Sequence, residues 1–268
     1  MLELEPSTVF KKQHHAGIFE TIDQLKEEIK TYPTLPDIAV EKNLLAFITQ
    51  YTYNSNAIEG STLTLSDTHI VIVEGLTIDQ KPMSDHLDAI NHKEAIYYIL
   101  ELSKEDRKLS ETDIKNIHSL VMANNPKIKG IYRNHDVLIS GTEYMPPSFI
   151  HLTDEMDKLI ENYLSDKKHP IEKIAELHVL FERVHPFSDG NGRTGRLLMN
   201  LELIKVGYQP VDIKFKDRAN YIQALQDYDN TQKATKFIDM VARYQLEELT
   251  NIRNMLKTRA KHIGGYSG

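Results

Sequence analysis

The spacing of apolar residues constrains this fold most, because it repeats every three or four positions along almost the whole chain. Leu197, Leu198, Leu201 and Ile204 give one example, which marks a single buried helix face before the stop signal Gly207. Successive segments with the same period are separated by proline or glycine. The pattern therefore predicts an all-α protein built as a helical bundle.

Residues 135–151 depart from this pattern. The run from Val137 to Ile139 is followed by turn-like residues 140–142 and then by Tyr144-Met145, an arrangement typical of a small β-hairpin. Because an isolated hairpin is marginal in water, it is expected to lie against the helical body as a flap. Its free edge offers main-chain hydrogen bonds to an extended peptide.

No repeat, linker or low-complexity segment divides the chain. We predict an N-terminal arm and first helix over residues 1–35, with no periodicity before about residue 16, a core over 36–250, and a helix end and tail over 251–268. The core includes a helix from about His86 to Leu102. The positions of that helix predicted to be buried are Leu87, Ile90, Ala95 and Ile99.

Composition excludes several function classes. The 268 residues are 40% hydrophobic and 26% charged, which is ordinary for a globular protein. A net charge of -7 argues against broad affinity for nucleic acid or anionic membranes. The chain has no cysteine, which rules out disulfides and thiolate metal sites. With no signal peptide and no apolar run of membrane-spanning length, a cytoplasmic location is expected.

The chemistry concentrates in residues 184–200. This stretch supplies a candidate base, His185, and a carboxylate, Asp189, followed by a glycine-bounded turn that enters a helix. Backbone N–H groups at a helix start lack intrahelical partners, and the helix dipole there favours negative charge. Arg193 and Arg196 add cationic donors, so we predict an anion site that takes a phosphate chain.

Each of these residues also has an ordinary structural interpretation. In that interpretation His185 simply ends a helix before a proline, Asp189 is a turn residue, and Asn191 is a plain N-cap. Arg193 and Arg196 then form local salt bridges. Their concentration within a dozen residues favours a functional site, in which Asp189 is a hard oxygen ligand suited to Mg²⁺.

The stretch resembles the signature of the Fic (filamentation induced by cyclic AMP) family, His-Pro-Phe-x-(Asp/Glu)-Gly-Asn-Gly-Arg-x-x-Arg. Residues 185–196 match every fixed position. Ser55, Glu59 and Gly60 match the family's inhibitory motif, (Ser/Thr)-x-x-x-Glu-(Gly/Asn), which would lie in an inhibitory helix over about residues 37–60, N-terminal to the catalytic motif. The resemblance covers most of residues 40–245 and implies a Fic-type helical bundle with one hairpin flap.

The resemblance implies a protein adenylyltransferase, which transfers AMP from ATP to a Ser, Thr or Tyr hydroxyl and releases pyrophosphate. His185 would be the base, and Asp189 would hold Mg²⁺ or Mn²⁺ at the phosphates. The residues implied to bind the nucleotide are Gly190, Asn191, Gly192, Arg193, Arg196 and, by segment only, Tyr221. Val137 and Ile139 of the flap would hold the target segment. The identity of the target cannot be read from this sequence.

Glu59 and Arg196 are expected to form a salt bridge, because each needs a partner of opposite charge. That pair would occupy the place of the γ-phosphate, so the resemblance implies self-inhibition. In some relatives the same glutamate supports removal of AMP, and a reversible activity is compatible with this sequence.

Other functions stay open. A Fic-type enzyme that transfers UMP, phosphocholine or phosphate would use the same fold, and a non-catalytic nucleotide-binding regulatory module would keep the phosphate site without the chemistry. The histidines do not fall at the short spacings of a dedicated zinc site. The expected partner is a protein substrate; self-modification and a homodimer are compatible with the sequence, whereas binding to nucleic acid or a membrane is not expected.

Overall fold

The computed structural model describes the backbone of residues 6–139 and 141–264 and the side chains of residues 17–139 and 141–260. Ten α-helices follow one another in that part of the chain: α1 Pro6–Lys30, α2 Asp37–Ile58, α3 Leu65–His69, α4 Met83–Leu102, α5 Glu111–Val121, α6 Leu152–Ser165, α7 Pro170–Val184, α8 Asn191–Lys205, α9 Arg218–Thr231 and α10 Thr235–Gly264. A π-helical turn, Ile70–Glu74, continues α3. The prediction of an all-α bundle is confirmed.

Helix α8 is the central element. It packs against α2, α4, α5 and α7, and Leu197, Leu198 and Leu201 are fully buried. Burial of each such side chain stabilises the fold by roughly 1.5–3 kcal/mol. A helix surrounded on all sides is apolar on all sides or must satisfy its buried polar groups. Asn200 does the latter, because its amide exchanges two hydrogen bonds with the backbone of Val211.

The outer helices enclose this centre. Helix α10 packs on α7, α9 and α1, and α6 covers α7. Helix α1 begins at Pro6, so the predicted arm is helical from that point although its sequence has no apolar period before about residue 16. Residues 1–5 and 265–268, at the ends of the predicted arm and tail, lie outside the described residues. No described helix has the length and apolarity required to cross a membrane.

Local signals explain where several helices start. Ser110 and Asp113 form a capping box at the start of α5, and Pro170 occupies the first turn of α7. The predicted face of α4 was half right: Ala95 and Ile99 are buried, but Leu87 and Ile90 are more than one-third exposed. His86, Ala89 and His92 are buried in their place.

Candidate active site

His185 lies immediately after the last residue of α7. Its backbone is left-handed, with φ of 48°, and its N–H donates to the Phe181 carbonyl over 3.0 Å. Because the ring of Pro186 disfavours helical geometry in the residue before it, the helix ends here. A left-handed non-glycine residue is uncommon and costs about 1–3 kcal/mol. The surrounding fold therefore holds His185 in a strained position beside the motif loop.

The ring of His185 is oriented so that Nε2 can act as a base. Its Nδ1 lies 3.2 Å from the Glu182 carbonyl oxygen. Since a carbonyl only accepts, Nδ1 carries the proton and Nε2 keeps its lone pair. Burial lowers the pKa of His185, an effect that the Arg133 charge reinforces and the Glu182 hydrogen bond opposes. The ring is therefore neutral at pH 7, with Nε2 free to take a proton.

Asn191 and His118 hold the loop that follows His185. The Asn191 side chain accepts from the Phe187 N–H and donates to its carbonyl, over 2.9 and 2.8 Å. The interpretation of Asn191 as an N-cap is therefore wrong, because Gly190 caps α8 and Asn191 is the first helical residue. Sequence analysis missed His118, whose Nε2 lies 2.9 Å from the Asp189 carbonyl and whose ring stacks on Phe187. Burial lowers the pKa of His118 to about 4, so the neutral ring donates this hydrogen bond.

Two glycines of the motif are required by close contacts. Gly190 has φ of 75°, and a Cβ there would lie 2.8 Å from the Met122 sulfur. A Cβ on Gly192 would lie 2.3 Å from Glu59 Oε1. These bare positions open the N-terminal end of α8, where the N–H groups of its first turn point outward without helical acceptors. An anion fits this end of the helix.

Asp189 is exposed at the mouth of the loop, where one carboxylate oxygen accepts from the Gly190 N–H over 2.6 Å. No group of three or more His, Asp or Glu side chains suited to a metal occurs in the described residues. Such a lone carboxylate fits Mg²⁺, which uses one or two protein carboxylates and takes its remaining ligands from phosphates and water. A dedicated protein-only metal cage does not fit.

Both motif arginines are buried and paired with carboxylates from other helices. Arg193 Nη1 lies 3.0 Å from Asp88 of α4, a contact that sequence analysis missed. Arg196 Nη2 donates to Glu59 Oε1 over 2.7 Å, which confirms the predicted salt bridge. Arg196 also donates to the Ser55 hydroxyl and carbonyl, over 3.1 and 2.9 Å. The end of α2 is thus held against the start of α8.

Glu59 forms the C-cap of α2, and Gly60 follows it with φ of 101°. Burial by itself would raise the pKa of Glu59, but the charge and hydrogen bond of Arg196 lower it overall. The carboxylate is therefore ionised at neutral pH and forms a true ion pair. Its side chain is 42% exposed, whereas that of Arg196 is 1% exposed. Glu59 is consequently the partner that can leave.

Tyr221 lies beneath this pair. It is 2% exposed, its hydroxyl lies 2.9 Å from His178 Nε2, and the Arg196 guanidinium lies 5.8 Å from its ring centre. This bond pairs Nε2 of His178, a fully buried interior histidine. Tyr221 supports the arginine from below, and its contact with an adenine base stays a prediction.

The flap contains no strand in residues 135–139 and 141–151, so the predicted hairpin is wrong; Ser140 lies outside the described residues. Side chains take the place of a strand ladder. Arg133 donates to the carbonyls of His135 and Pro147, and Gln226 of α9 donates to Gly141. The same Arg133 donates to the His185 carbonyl over 2.9 Å. One buried guanidinium therefore joins both ends of the flap to the candidate base.

Val137 and Ile139 are half-buried in this segment, whereas Leu138 between them is 77% exposed. The loop backbone nevertheless remains beside the site. Its role in docking a target stays a prediction.

The chain is similar to known proteins of one family. Residues 108–203 match the Fic/DOC family model. A protein adenylyltransferase Fic of Nematostella vectensis is 32% identical over 237 residues, which is 87% of this chain and 55% of the relative. The protein adenylyltransferase fic-1 of Caenorhabditis elegans is 32% identical over 220 residues, 80% of this chain and 42% of the relative. The chain thus spans about half the length of the curated relatives it matches.

Solved structures have the same fold. Fic-1 of C. elegans superposes with a TM-score of 0.84 at 27% identity, covering 94% of this chain and 76% of that one. A Fic domain containing signaling protein of Bacteroides thetaiotaomicron superposes with a TM-score of 0.81 at 26% identity, covering 89% and 97%. The matched segment 108–203 includes His185 and both arginines, and the structural likeness covers about nine-tenths of the chain. By motif, fold and relatives, the chain belongs to the Fic/DOC family.

Proposed function

We propose that this protein is an adenylyltransferase that moves AMP from ATP to a hydroxyl side chain of a protein. The observation that carries the proposal is the placement of a neutral His185, Nε2 unprotonated, beside a helix N-terminus with two buried arginines. Nucleotidyl transfer requires such a base together with groups that position and neutralise phosphates. The names of the relatives support the same reaction.

In the proposed reaction, His185 Nε2 takes the proton of the target hydroxyl as its oxygen attacks the α-phosphorus. The bond from that phosphorus to the bridging oxygen breaks, and pyrophosphate leaves. Mg²⁺, held by Asp189 and the nucleotide, would neutralise the phosphate charge. Arg193 and the first-turn N–H groups of α8, at Asn191 and Gly192, would bind the phosphate chain.

We propose further that Glu59 inhibits the enzyme by occupying Arg196. A γ-phosphate bound at that guanidinium would displace the carboxylate, because both need the same donors. Gly192 lies beside this contact, because a Cβ at that position would be 2.3 Å from Glu59 Oε1. AMP removal, self-modification and a homodimer are compatible extensions of the proposal.

The experiment incubates wild-type protein, Glu59→Gly and His185→Ala with ATP labelled at the α-phosphate, Mg²⁺ and a protein mixture. We expect weak labelling by wild type, strong labelling by Glu59→Gly and none by His185→Ala. Mass spectrometry of the modified protein identifies the transferred group. An adduct other than AMP, or labelling that survives His185→Ala, contradicts the proposal.

A further inference from the structure

Asp88 is a half-buried carboxylate that the proposed reaction leaves unexplained. It lies in the second turn of α4, a helix of 20 residues, with its side chain 26% exposed. Burial raises the pKa of Asp88, and the charges of Asp189 and Asp85 raise it further, whereas Arg193 lowers it. A carboxylate at this point is costly to the fold unless Arg193 offsets it. A costly ionisable group paired with a motif arginine is a candidate for a functional role.

Arg193 has unused hydrogen-bonding capacity. Its Nε and Nη1 are buried without a hydrogen-bond acceptor among the described residues, and Nη2 contacts only the Met122 sulfur at 3.5 Å. The contact from Nη1 to Asp88 is therefore an ion pair of imperfect hydrogen-bond geometry, and most of the five N–H groups of the guanidinium remain available. A phosphate is the ligand that matches such a fork.

We propose that Asp88 is a positioning residue, which holds one edge of the Arg193 guanidinium so that the remaining N–H groups meet the phosphate chain. This inference rests on the proposed function for its ligand. An arginine side chain loses about 2 kcal/mol of rotamer freedom when a ligand fixes it, and a carboxylate that fixes it beforehand removes that cost from binding.

Asp88 and Glu59 differ in mobility, and this difference decides whether each carboxylate supports its arginine or competes with a phosphate for it. Glu59 caps the end of α2 and is 42% exposed, so it can swing away from its arginine. Asp88 lies inside α4 next to the buried Ala89, one turn before the buried His92, so it stays in place when a nucleotide binds. It is consequently a fixed support and not a second removable inhibitor.

The direction in which ATP–Mg²⁺ affinity changes when Asp88 is replaced tests the proposal. By Coulomb's law, removing a negative charge near an anion site should tighten anion binding. A positioning role predicts the opposite, because without Asp88 the binding of ATP must also fix the arginine, at a cost of about 2 kcal/mol, or roughly 30-fold in affinity. We therefore expect Asp88→Asn and Asp88→Ala to weaken ATP–Mg²⁺ binding by about that factor.

Calorimetry measures the dissociation constant of ATP–Mg²⁺ in the full chain carrying Glu59→Gly and His185→Ala, so that neither inhibition nor turnover interferes. Asp88→Ala, Asp88→Asn, Arg193→Ala and the double variant Asp88→Ala/Arg193→Ala are compared. The two alanine changes should be non-additive, with Asp88→Ala adding no loss once Arg193 is gone. Asp227→Asn is the matched control, because it removes a half-buried carboxylate paired with Lys236 away from this site and should leave the constant unchanged.

Tighter or unchanged ATP binding in Asp88→Asn overturns the inference, as does full additivity with Arg193→Ala. If ATP binding depends on Asp88 while the Glu59→Gly protein transfers nothing, the proposed function fails and this inference stands. If no variant binds ATP, both fail.

Discussion

The contact between Glu59 and Arg196 gives the sharpest quantitative prediction. Replacing Glu59 by glutamine keeps the size of the side chain and one carbonyl oxygen, but removes the charge. The salt bridge joins a fully buried guanidinium, 1% exposed, to a carboxylate that is 42% exposed. A hydrogen bond between charged groups contributes about 1.5–3 kcal/mol, and exposure of one partner reduces this to roughly 1–2 kcal/mol.

This free energy must be overcome before a γ-phosphate reaches Arg196. Glu59→Gln should therefore lower the apparent KM for ATP about 5- to 30-fold, since 1.4 kcal/mol is a factor of ten. Glu59→Gly, which removes every competing atom, should be at least as active. Steady-state kinetics of AMP transfer, with ATP varied at fixed target concentration, gives KM and kcat for the three proteins.

Competition for the guanidinium predicts a graded order of AMP-transfer activity. Wild type should be the least active, and Glu59→Gln should be more active than wild type but no more active than Glu59→Gly. The reasoning is refuted if Glu59→Gln has the wild-type KM while Glu59→Gly is activated, because the charge would then be irrelevant. Ser61→Ala is a suitable control near the same helix end, since its hydroxyl makes only a local bond to the Leu63 N–H. It should leave KM unchanged.

Three further outcomes follow from the geometry. The rate of AMP transfer should fall as the pH drops through the pKa of His185, which burial lowers below the ordinary 6.5, and should stay constant from there through neutral pH. A pH–rate profile whose acid limb lies above 6.5 contradicts the assignment of His185 as the base. Arg133→Met should lower kcat/KM for the protein target by more than about tenfold while the dissociation constant for ATP changes little, because it releases the flap from His185, and equal losses for both would show general disorder. Gly195→Ala should lower the free energy of unfolding by about 1 kcal/mol, because its Cβ would lie 2.4 Å from Glu182 Oε1 and the strain exceeds the gain in helix propensity; a higher midpoint in thermal denaturation argues against this.

Sequence predicted the features that depend on local order. The apolar period gave the helices, and the motif spacing placed the base, the carboxylate and the arginines on one loop and helix start. The Glu59–Arg196 pair was also predictable, because both charges oppose their helix dipoles and each lacks a local partner. These inferences needed no knowledge of how distant helices pack.

Features set by tertiary packing were missed. The N-terminal half of the α4 face, at Leu87 and Ile90, was misassigned because buried histidines count as polar in a periodicity analysis. His86 satisfies both ring nitrogens, with the Pro82 carbonyl and the Ile78 N–H, and His92 contacts the Thr52 hydroxyl. The hairpin was predicted from side-chain type alone, whereas Arg133 and Gln226 hold the loop from outside. Asp88 had no local signal, since it meets Arg193 only when α4 packs on α8.

The two arginine–carboxylate pairs together explain how a buried anion site persists before its ligand arrives. Two cations at the start of α8 would be unstable without counter-charges, because the helix dipole and burial both oppose them. Asp88 and Glu59 supply those charges from different helices, one in a helix interior and one at a helix end. Because only the terminal one is exposed enough to leave, ATP binding should exchange a single carboxylate for a phosphate. Inhibition therefore depends on Arg196 alone, and replacing Asp88 should not release it.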